Sequence, residues 1–279
     1  MSHMLRSHDV TLQPLGTRQE CLACVSLQRE IWGQDFIDVV PATILMVCQR
    51  IGGVACGAFD INDRLIGFVF GISGVVNGIL AHWSDMLAVR PEARRTGLGR
   101  RLKLYQRTQL LERGIRVACW SYDPLMAANA SFNLNALGAY PTEYVDDMYG
   151  DTGSTLHRGL DTDRLIVKWQ LDAPGVERRI AGARHTASLD AVAEAPVVLP
   201  PDPTKSNAAD RSFPTDNWIR IAVPTDIVSL KVSDPAEARR WQRSVRAAFR
   251  AYLTTGYRVV DFYEGSAAEP PTYVLINDF

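Results

Sequence analysis

The sequence has little lysine and no excess of charge of either sign. Its 30 Lys and Arg residues balance 31 Asp and Glu residues, so the formal net charge is -1. Arginine supplies nearly all of the positive charge, because only four of the basic residues are lysines. Domains that bind nucleic acid through bulk charge carry a clear basic excess. The composition therefore argues against a nucleic-acid partner.

Long apolar runs are also missing. No uninterrupted run approaches the roughly 18–20 residues that a membrane helix needs. The two longest candidates, Ile37–Cys48 and Leu65–Val76, are interrupted by Asp38, Pro41 and several glycines. The first residues lack a charged stretch followed by an apolar one, as an export signal would have. We expect a cytoplasmic protein with no membrane partner.

Cysteine is sparse, with five residues, although Cys21-Leu-Ala-Cys24 matches the C-x-x-C spacing of redox and zinc sites. No second C-x-x-C follows. Cys21, Cys24, Gln28 and Ile31 fall at helical spacing, and small buried thiols are common in protein cores. The sequence predicts core cysteines and no metal site.

The 279 residues, 47% of them hydrophobic, suffice for one large domain and a smaller appendage. The predicted order is a short strand, two helices, a three-strand meander, a loop and helix, a strand, a short helix and two further strands. This order predicts an α+β fold, with a mixed, mostly antiparallel sheet and helices on both faces. The predicted elements are strands at Val10–Leu15, Val54–Phe59, Leu65–Ile72, Ile79–Val89, Val117–Tyr122, Glu143–Met148 and Arg164–Leu171, and helices at Thr17–Ile31, Pro41–Arg50, Leu98–Arg113 and Ala128–Leu137.

The stretch after residue 171 differs in composition. It is rich in proline and in Ser, Asn and Asp, so we expect a connection over 172–216 with little regular structure. A small C-terminal β-α-β-β unit follows over 217–279, its helix beginning at a capping box of Asp234 and Glu237. The predicted main domain therefore covers 4–171.

The most informative segment joins the strand that ends at Val89 to the helix that begins at Leu98. At such a turn the N–H groups of the loop and of the first helical turn converge, and the helix dipole favours negative charge. Glycine lets a phosphate approach the main chain, and arginine adds charge-assisted hydrogen bonds. The pattern predicts a phosphate-binding loop made of Arg94, Arg95, Thr96, Gly97, Leu98, Gly99 and Arg100, with Arg101 beside it.

Two familiar phosphate motifs do not fit this loop. A Walker loop needs Lys and a hydroxyl residue after its last glycine, and neither follows Gly99. A dinucleotide fingerprint needs a third glycine, and Leu102 stands at that position. A glycine-containing turn with solvated arginines stays open as the plain alternative.

The Arg94-x-x-Gly97-x-Gly99 loop, placed after Leu87-Ala-Val89, resembles the acyl-CoA pyrophosphate loop of the GNAT superfamily of CoA-dependent N-acyltransferases. The order of elements agrees over about Leu12–Leu171. The sequence is closer still to a branch with succinyl-CoA:D-amino acid N-succinyltransferases, found alongside N-acylamino acid racemases. The carrying segments are Arg29–Gly33, Gly67–Gly71, Leu102–Arg107, Asp123–Leu125, Asn129–Leu134, Tyr149-Gly150, Asp163–Leu165 with Trp169, and the C-terminal Trp241, Phe249 and Gly256–Val259.

The resemblance implies a GNAT-like fold, acetyl-CoA or another acyl-CoA such as succinyl-CoA, and direct attack by a small-molecule amine. It places the pantetheine on main-chain groups near Leu87 and Val89, where an N–H would stabilise the oxyanion. Asp85 stands where family members have a catalytic base, although the close branch has His there. A solvated or arginine-paired carboxylate is the other interpretation of Asp85. Strand alternation puts Asp85 on the face of Leu87 and Val89, opposite His82 and Ser84, unless a bulge intervenes.

The usual tyrosine acid is absent, because Leu134 occupies its position. Tyr149 is a substitute candidate for the catalytic acid. Asn129 and Asn133 are candidates for binding pantetheine or acceptor, with capping of a short helix as the alternative.

Two functions therefore stay open. The first is an acyl-CoA-dependent N-acyltransferase that transfers an acetyl or succinyl group to a small amino acid or related amine. The second is a catalytically silent acyl-CoA-binding sensor or scaffold. A monomer and a homodimer are both compatible with the sequence.

Overall fold

The structure is a computed structural model that describes residues 10–183, 189–200 and 213–277. The chain forms two compact units. The first runs to Trp120 and includes Thr152–Leu156 and Gln170–Asp172, and the second contains Ser121–Asp151, His157–Trp169 and the chain from Ala173 onward. The division predicted at residues 171 and 216 stays a prediction.

The first unit is a mixed sheet with helices on both faces. Its strands lie in the order β1-β2-β3-β4-β5, antiparallel from β1 to β4 and parallel between β4 and β5. The α+β class predicted from the sequence is therefore confirmed. The elements are β1 (Thr11–Pro14), α1 (Arg18–Trp32), α2 (Ala42–Arg50), β2 (Val54–Phe59), β3 (Leu65–Val76), β4 (Ile79–Val89), α3 (Leu98–Glu112) and β5 (Val117–Tyr122), whose last two residues fall in the second unit.

Local capping begins α1 where the sequence predicts it. The Thr17 hydroxyl accepts from the Glu20 N–H at 3.1 Å, and the Glu20 carboxylate accepts from the Thr17 N–H at 2.7 Å. Two donors at the helix start are thereby satisfied. The buried face of α1 includes Cys21 and Cys24, and burial raises the pKa of Cys24 to about 12. The core placement of these cysteines is confirmed.

One hydrophobic core lies between the sheet and the α1–α2 pair. Phe68 and Phe70 of β3 are buried there with Leu27 of α1 and Leu45 of α2. Helix α3 covers the other face, where Leu102 packs near Gly67. The sheet is thus buried on both faces, as its nearly unbroken apolar strands indicate.

The second unit combines a hairpin with a smaller four-stranded sheet. The hairpin pairs β6 with β7 in antiparallel fashion, and the sheet has the order β10-β11-β9-β8. Only the β8–β9 pair of that sheet is parallel. The elements are α4 (Ala127–Ser131), β6 (Tyr140–Val145), β7 (Arg164–Gln170), α5 (Pro174–Ile180), α6 (Leu189–Glu194), β8 (Val197–Val198), β9 (Trp218–Ala222), α7 (Ile227–Ser233), α8 (Pro235–Thr254), β10 (Arg258–Tyr263) and β11 (Thr272–Ile276).

Three sequence expectations need correction here. The proline-rich connection is more regular than expected, because α5, α6 and β8 all lie within it. Pro174 favours the start of α5 instead of a loop, since proline is well tolerated in a first helical turn. Helix α7 was not expected, although Asp226 caps it by accepting from the Ser229 N–H at 3.1 Å. The strand predicted at Glu143–Met148 begins earlier, at Tyr140.

The described residues contain no helix that is both long and apolar enough to cross a bilayer. They also contain no group of three or more His, Cys, Asp or Glu side chains arranged to hold a metal ion.

A carboxylate and an arginine stabilise the second unit. Asp163 is buried and accepts four hydrogen bonds, two from the Arg246 guanidinium at 2.6 and 2.8 Å, one from the Tyr144 hydroxyl at 2.6 Å and one from the Asp147 N–H at 3.0 Å. Neutralising the Asp163 carboxylate weakens these four hydrogen bonds and leaves Arg246 paired only with the more exposed carboxylates of Asp146 and Asp161 among the described residues.

We expect Asp163→Asn to lower the free energy of unfolding of the protein by about 3 kcal/mol. Denaturant unfolding followed by far-UV circular dichroism measures this loss. Asp161→Asn is the matched control, because Asp161 binds the same Arg246 from a side chain that is 56% exposed. The Asp161→Asn variant should lose no more than about 1 kcal/mol of its free energy of unfolding, as is usual for exposed ion pairs. Equal losses in the two variants would contradict this account.

Candidate active site

The central feature of the first unit is a bulge in β4. Phe70 of β3 pairs with Met86 and Ile72 pairs with Trp83, so Ser84 and Asp85 together lie opposite the single residue Gly71. A Cβ atom at Gly71 would lie 2.2 Å from the His82 ring. Only glycine fits opposite this bulge.

The bulge changes which side chains share a face. Leu87 and Val89 lie near Gly99 of α3, since a Cβ atom there would be 3.9 and 4.0 Å from them. His82 and Ser84 face α3 too, because both are hydrogen-bonded to Gln106. The carboxylate of Asp85 instead has Asp38 and Cys48 as electrostatic neighbours, on the side of α1 and α2.

The predicted face of Asp85 is therefore wrong. Simple alternation would group it with Leu87 and Val89, whereas the extra residue in β4 turns it to the opposite face. The same extra residue brings His82 and Ser84 to the face of Leu87 and Val89. Without the bulge, alternation would place Asp85 on the face of Leu87 and Val89, and His82 and Ser84 on the opposite face.

The environment of Asp85 favours a proton acceptor. Loss of hydration raises the pKa of its carboxyl above the usual value, and the negative charge of Asp38 adds to this effect, while the Trp83 side chain opposes it. The side chain nevertheless stays exposed. Within the described part of the chain Asp85 makes no ion pair with an arginine, so the arginine-paired interpretation is not supported.

The edge of β4 beyond Trp83 lacks a partner strand among the described residues. The pairing with β5 covers Ala81, His82 and Trp83 only, and β4 continues for six more residues. The Arg90 N–H donates to Ile66 of β3 at 2.9 Å. By alternation, the main-chain groups of Leu87 and Val89 then point away from β3, toward the open edge. The binding of pantetheine by main-chain groups near both residues stays a prediction.

The loop after β4 has left-handed backbone geometry at two positions. Arg95 and Gly97 have positive φ angles of 62° and 82°, and backbone turns of this kind can form anion-binding concavities. The first bond inside α3 joins the Arg101 N–H to the Gly97 carbonyl at 3.0 Å. The N–H groups of Leu98 and Gly99 precede that bond, at the positions for which an α-helix supplies no acceptor of its own. Because α3 is 15 residues long, its dipole adds positive potential at this point.

The side chains around the loop divide into two groups. Some support the main chain: Arg94 Nε donates to the Val89 carbonyl at 3.1 Å, Thr96 Oγ1 to the Ala93 carbonyl at 2.8 Å, and Arg101 Nη2 to the Val10 carbonyl at 2.8 Å. Leu98 is buried, so only its N–H can reach a ligand. Arg95 is exposed and Arg100 is half-buried at the helix start. The predicted anion site would therefore depend chiefly on main-chain donors.

A polar network that the sequence analysis did not foresee is buried between β4 and α3. Ser73 Oγ donates to the Gly52 carbonyl at 2.8 Å and therefore accepts from His82 Nδ1, 2.9 Å away. His82 Nε2 is then an acceptor for the Gln106 amide at 3.0 Å. Burial, with the charges of Lys103 and Arg113, lowers the pKa of His82 to about 3, so the ring is neutral.

The network ends on a buried lysine. Gln106 Oε1 accepts from Ser84 Oγ at 2.9 Å and from Lys103 Nζ at 3.3 Å, and Ser84 Oγ accepts from Lys103 Nζ at 2.8 Å. Burial lowers the pKa of Lys103, but its Nζ also lies 3.6 Å from the centre of the Trp120 ring, where a cation is stabilised. Since Ser84 is one of the two bulge residues, the network fixes the bulge from the α3 side.

One sequence signal for this network exists. Lys103 and Gln106 occupy the same stripe of α3 as the buried residues Leu98, Leu102 and Leu110. Long polar side chains at core positions are rare unless they find partners. Asp38 was also missed as a neighbour of Asp85, because the loop that carries it has no pattern of its own.

The remaining predicted site residues belong to the second unit. Tyr149 is 40% exposed, and its hydroxyl lies 2.8 Å from Ser121 Oγ. Asn133 is buried in a π-helical turn at Phe132–Ala136, and Asn129 is exposed in α4. The cap of α4 is Met126, which makes no side-chain capping bond, so neither asparagine caps that helix start. Their roles toward acyl-CoA and acceptor stay predictions.

No protein-family model matches the chain, and no curated protein is significantly similar to it. Several solved acetyltransferase structures are similar to part of it. The ribosomal-protein-S18-alanine N-acetyltransferase from Escherichia coli is 18% identical, with 59% of this chain and 95% of that chain covered and a TM-score of 0.45.

The N-acetyltransferase PaiA from Thermoplasma acidophilum, solved with coenzyme A, is 15% identical, with 58% and 98% covered and a TM-score of 0.41. Arabidopsis thaliana Naa50, solved with a bisubstrate analogue, is 15% identical, with 57% and 97% covered and a TM-score of 0.45. At these identities and scores the likenesses carry no conclusion about activity.

We expect Gln106→Leu to lower the free energy of unfolding by about 2–4 kcal/mol, because it leaves His82, Ser84 and Lys103 without a shared partner in the core. Gln109→Leu on the same helix is the control, since the half-buried Gln109 is hydrogen-bonded to Glu112 and Arg113, outside the network. Its effect should stay within about 0.5 kcal/mol. Thermal and denaturant unfolding measure both, and equal stability of the two variants would show that the network contributes little.

Proposed function

We propose that this protein is an acyl-CoA-dependent N-acyltransferase that uses the open edge of β4 and the loop before α3 to bind its acyl donor. The proposal rests on one observation: the open edge of β4 leads directly into the loop before α3. The main-chain groups of Leu87 and the N–H of Val89 face the open edge, while the Val89 carbonyl accepts from Arg94 Nε. The strand continues directly into the loop with positive φ angles that precedes α3. A pantetheine is an amide chain that can pair with a strand edge, and a pyrophosphate suits a helix N-terminus.

The residues present fit coenzyme A at this place. Gly99 leaves space between α3 and the side chains of Leu87 and Val89. Main-chain N–H donors replace the lysine that a Walker loop would use, and Arg95 and Arg100 supply positive charge near the entrance. Acyl-CoA, when bound, supplies the acyl group as a thioester.

Asp85 is the proposed general base. Its raised pKa suits removal of a proton from an ammonium group, because catalytic bases work best with a pKa nearer the operating pH. The negative charges of Asp85 and Asp38 also attract a cationic amine. The main-chain N–H of Leu87, on the open edge, is proposed to donate to the acyl carbonyl oxygen. The amine is proposed to approach from the α1–α2 side.

A small amino acid or related amine is the proposed acceptor, and acetyl-CoA or succinyl-CoA the proposed donor. The resemblance to the branch with D-amino acid N-succinyltransferases supports this choice. Incubation of the purified protein with both donors and a panel of D- and L-amino acids and simple amines tests it by release of free thiol. Binding of CoA by calorimetry without turnover of any pair would instead favour a silent acyl-CoA-binding protein.

The variant Gly99→Ala distinguishes an effect on CoA binding from an effect on the stability of the fold. The new methyl group meets Leu87 and Val89 only at ordinary contact distance, and alanine is the better helix former by about 0.5–1 kcal/mol. We therefore expect a higher melting temperature together with at least tenfold weaker CoA binding, because the methyl group narrows the space beside the β4 edge. Calorimetric titration with CoA and thermal unfolding measure the two effects.

Gly175→Ala in α5 is the matched control, since its Cβ atom would also find ordinary space in a helix. It should keep the CoA affinity of the original protein. CoA affinity unchanged in Gly99→Ala would place the cofactor elsewhere.

Asp85→Asn should reduce turnover by about 10²–10⁴-fold while CoA affinity stays within twofold. The pKa of Asp85 is raised in the folded protein, so its contribution to stability is present below the unfolded pKa and is lost as pH rises through the folded pKa. The uncharged amide should therefore raise the melting temperature at pH 7. In the original protein, activity should fall as pH decreases through the raised pKa, and this acidic limb should disappear in the variant.

Asp38→Asn should shift the same limb to lower pH without abolishing turnover, because it removes the negative neighbour. Asp63→Asn, in the exposed β2–β3 turn, should change neither the position of the acidic limb nor the turnover. Full activity of Asp85→Asn would exclude Asp85 as the base. A lower melting temperature of Asp85→Asn would indicate that the Asp85 carboxylate has a stabilising partner.

A further inference from the structure

Strands β3 and β4 extend beyond the sheet as a two-stranded ribbon. Strand β2 pairs with β3 no further than Gly71, and β5 pairs with β4 from Ala81 onward. In the described part of the chain no third strand pairs with residues 72–80. The ribbon closes at Asn77 and Gly78, whose φ angles of 51° and 78° make a two-residue turn that matches the strand twist.

The ribbon is apolar and exposed on both faces. Val75 and Leu80 form one cross-strand pair, and Val76 and Ile79 form the next, which alternation places on the opposite face. These four side chains are between 50% and 67% exposed, and Ile72 is 44% exposed. A two-stranded ribbon alone is marginally stable in water, and its unpaired edges invite pairing with another chain.

Helix α2 continues this apolar surface. Ile44, Val47 and Ile51 follow one another at intervals of three and four residues and are between 45% and 65% exposed. The end of α2 is joined to the base of the ribbon, since Ser73 Oγ donates to the Gly52 carbonyl at 2.8 Å and Cys48 Sγ to the Gly71 carbonyl at 3.2 Å.

The two parts lie on one side of the sheet. Phe70 packs in the core shared with α1 and α2, and Ile72 follows it on the same face by alternation. The stripe of α2 and this face of the ribbon therefore form one apolar surface. We name it the ribbon surface: Ile44, Val47, Ile51, Ile72, Val76 and Ile79.

We propose that the ribbon surface is the interface of a homodimer, in which it packs against the same surface of a second copy of this chain. Such a two-fold interface has to be self-complementary. The ribbon meets this requirement because residues 72–81 carry no charge, so two copies approach without repulsion between like charges. Extended free edges also allow antiparallel pairing between the two ribbons.

The composition around the ribbon disfavours other occupants. From Leu65 to Val89 there is no lysine or arginine, and Asp85 is the only acidic residue. An anionic membrane or an acidic partner would find no basic side chains in these two strands, whereas membrane-surface segments are rich in them. A strongly charged partner finds no complement in these two strands, although Arg50 is exposed at the end of α2.

The apolar area is comparable with what a stable dimer needs. Six half-exposed aliphatic side chains offer on the order of 400 Å² of apolar area per copy. A standard interface buries about 800 Å² per partner, of which about 60% is apolar. The ribbon surface therefore supplies most of the apolar share of such an interface.

Sedimentation equilibrium of the full chain tests the proposal. We expect the original protein to have about twice the monomer mass of 30.9 kDa at micromolar concentration. The double variant Val76→Lys with Ile79→Lys should sediment as a monomer, with dimerisation at least a hundredfold weaker, because four like charges would meet across the two-fold axis. Ile61→Lys is the control: its side chain is 77% exposed in the β2–β3 turn, and the variant should remain a dimer.

Far-UV circular dichroism checks that the variants fold. If the ribbon variant does not, Val47→Lys with Ile51→Lys on α2 tests the same surface away from the strands and should also give monomers. A monomeric original protein at 100 µM would overturn the proposal, as would a dimer that persists in both double variants. A monomer that floats with vesicles of phosphatidylcholine would identify a membrane as the occupant instead and would equally overturn it.

Discussion

The bulge in β4 opposite Gly71 is the constraint on which the candidate site depends. One extra residue in a strand reverses the facing of every side chain that follows it, so Leu87 and Val89 turn toward α3 while Asp85 turns toward α1 and α2. The carboxylate thereby lies on the face opposite the side chains of Leu87 and Val89, and the open main-chain edge lies between the two faces. An acyl donor along the edge and an amine beside the carboxylate can then approach the same point from two sides.

The buried network explains why the bulge has a single arrangement. Each hydrogen bond has one consistent direction, from Lys103 through Ser84 and Gln106, and from Gln106 through His82 to Ser73 and Gly52. A different register of β4 would leave several buried polar groups without partners, at a cost of about 1–3 kcal/mol for each group. The network thus favours one geometry, whereas an apolar core of similar volume would tolerate several.

Much of the fold could be predicted from local patterns. The bounds of β2, β4 and β5 and the start of α3 follow from apolar runs that end at glycine, proline or charged residues, and the cap at Thr17 follows from its capping box. These signals depend on neighbours in sequence. The end of β3 was predicted too early, at Ile72, whereas the pairing with β4 continues to Val76.

The parts that could not be predicted depend on contacts distant in sequence. Alternation within β4 contains no sign of the bulge, which becomes evident only when β4 is paired with Gly71 of β3. His82 and Gln106 are 24 residues apart, and neither is unusual in its own segment. The predicted phosphate-binding loop is an intermediate case. Its glycines were evident from the sequence, but the sequence did not show which of its arginines bind the main chain.

The hydrogen bonds of two of these arginines to the main chain have an electrostatic consequence. Arg94 and Arg101 donate to main-chain carbonyls of Val89 and Val10, so they hold the loop against the strands. The proposed anion site then relies on oriented N–H groups, which need no side-chain ordering when a ligand binds. Fixed dipoles of this kind act at short range and lose less strength in salt than exposed charges do. A chain with almost no net charge can therefore carry a strong local site for a phosphate-rich ligand.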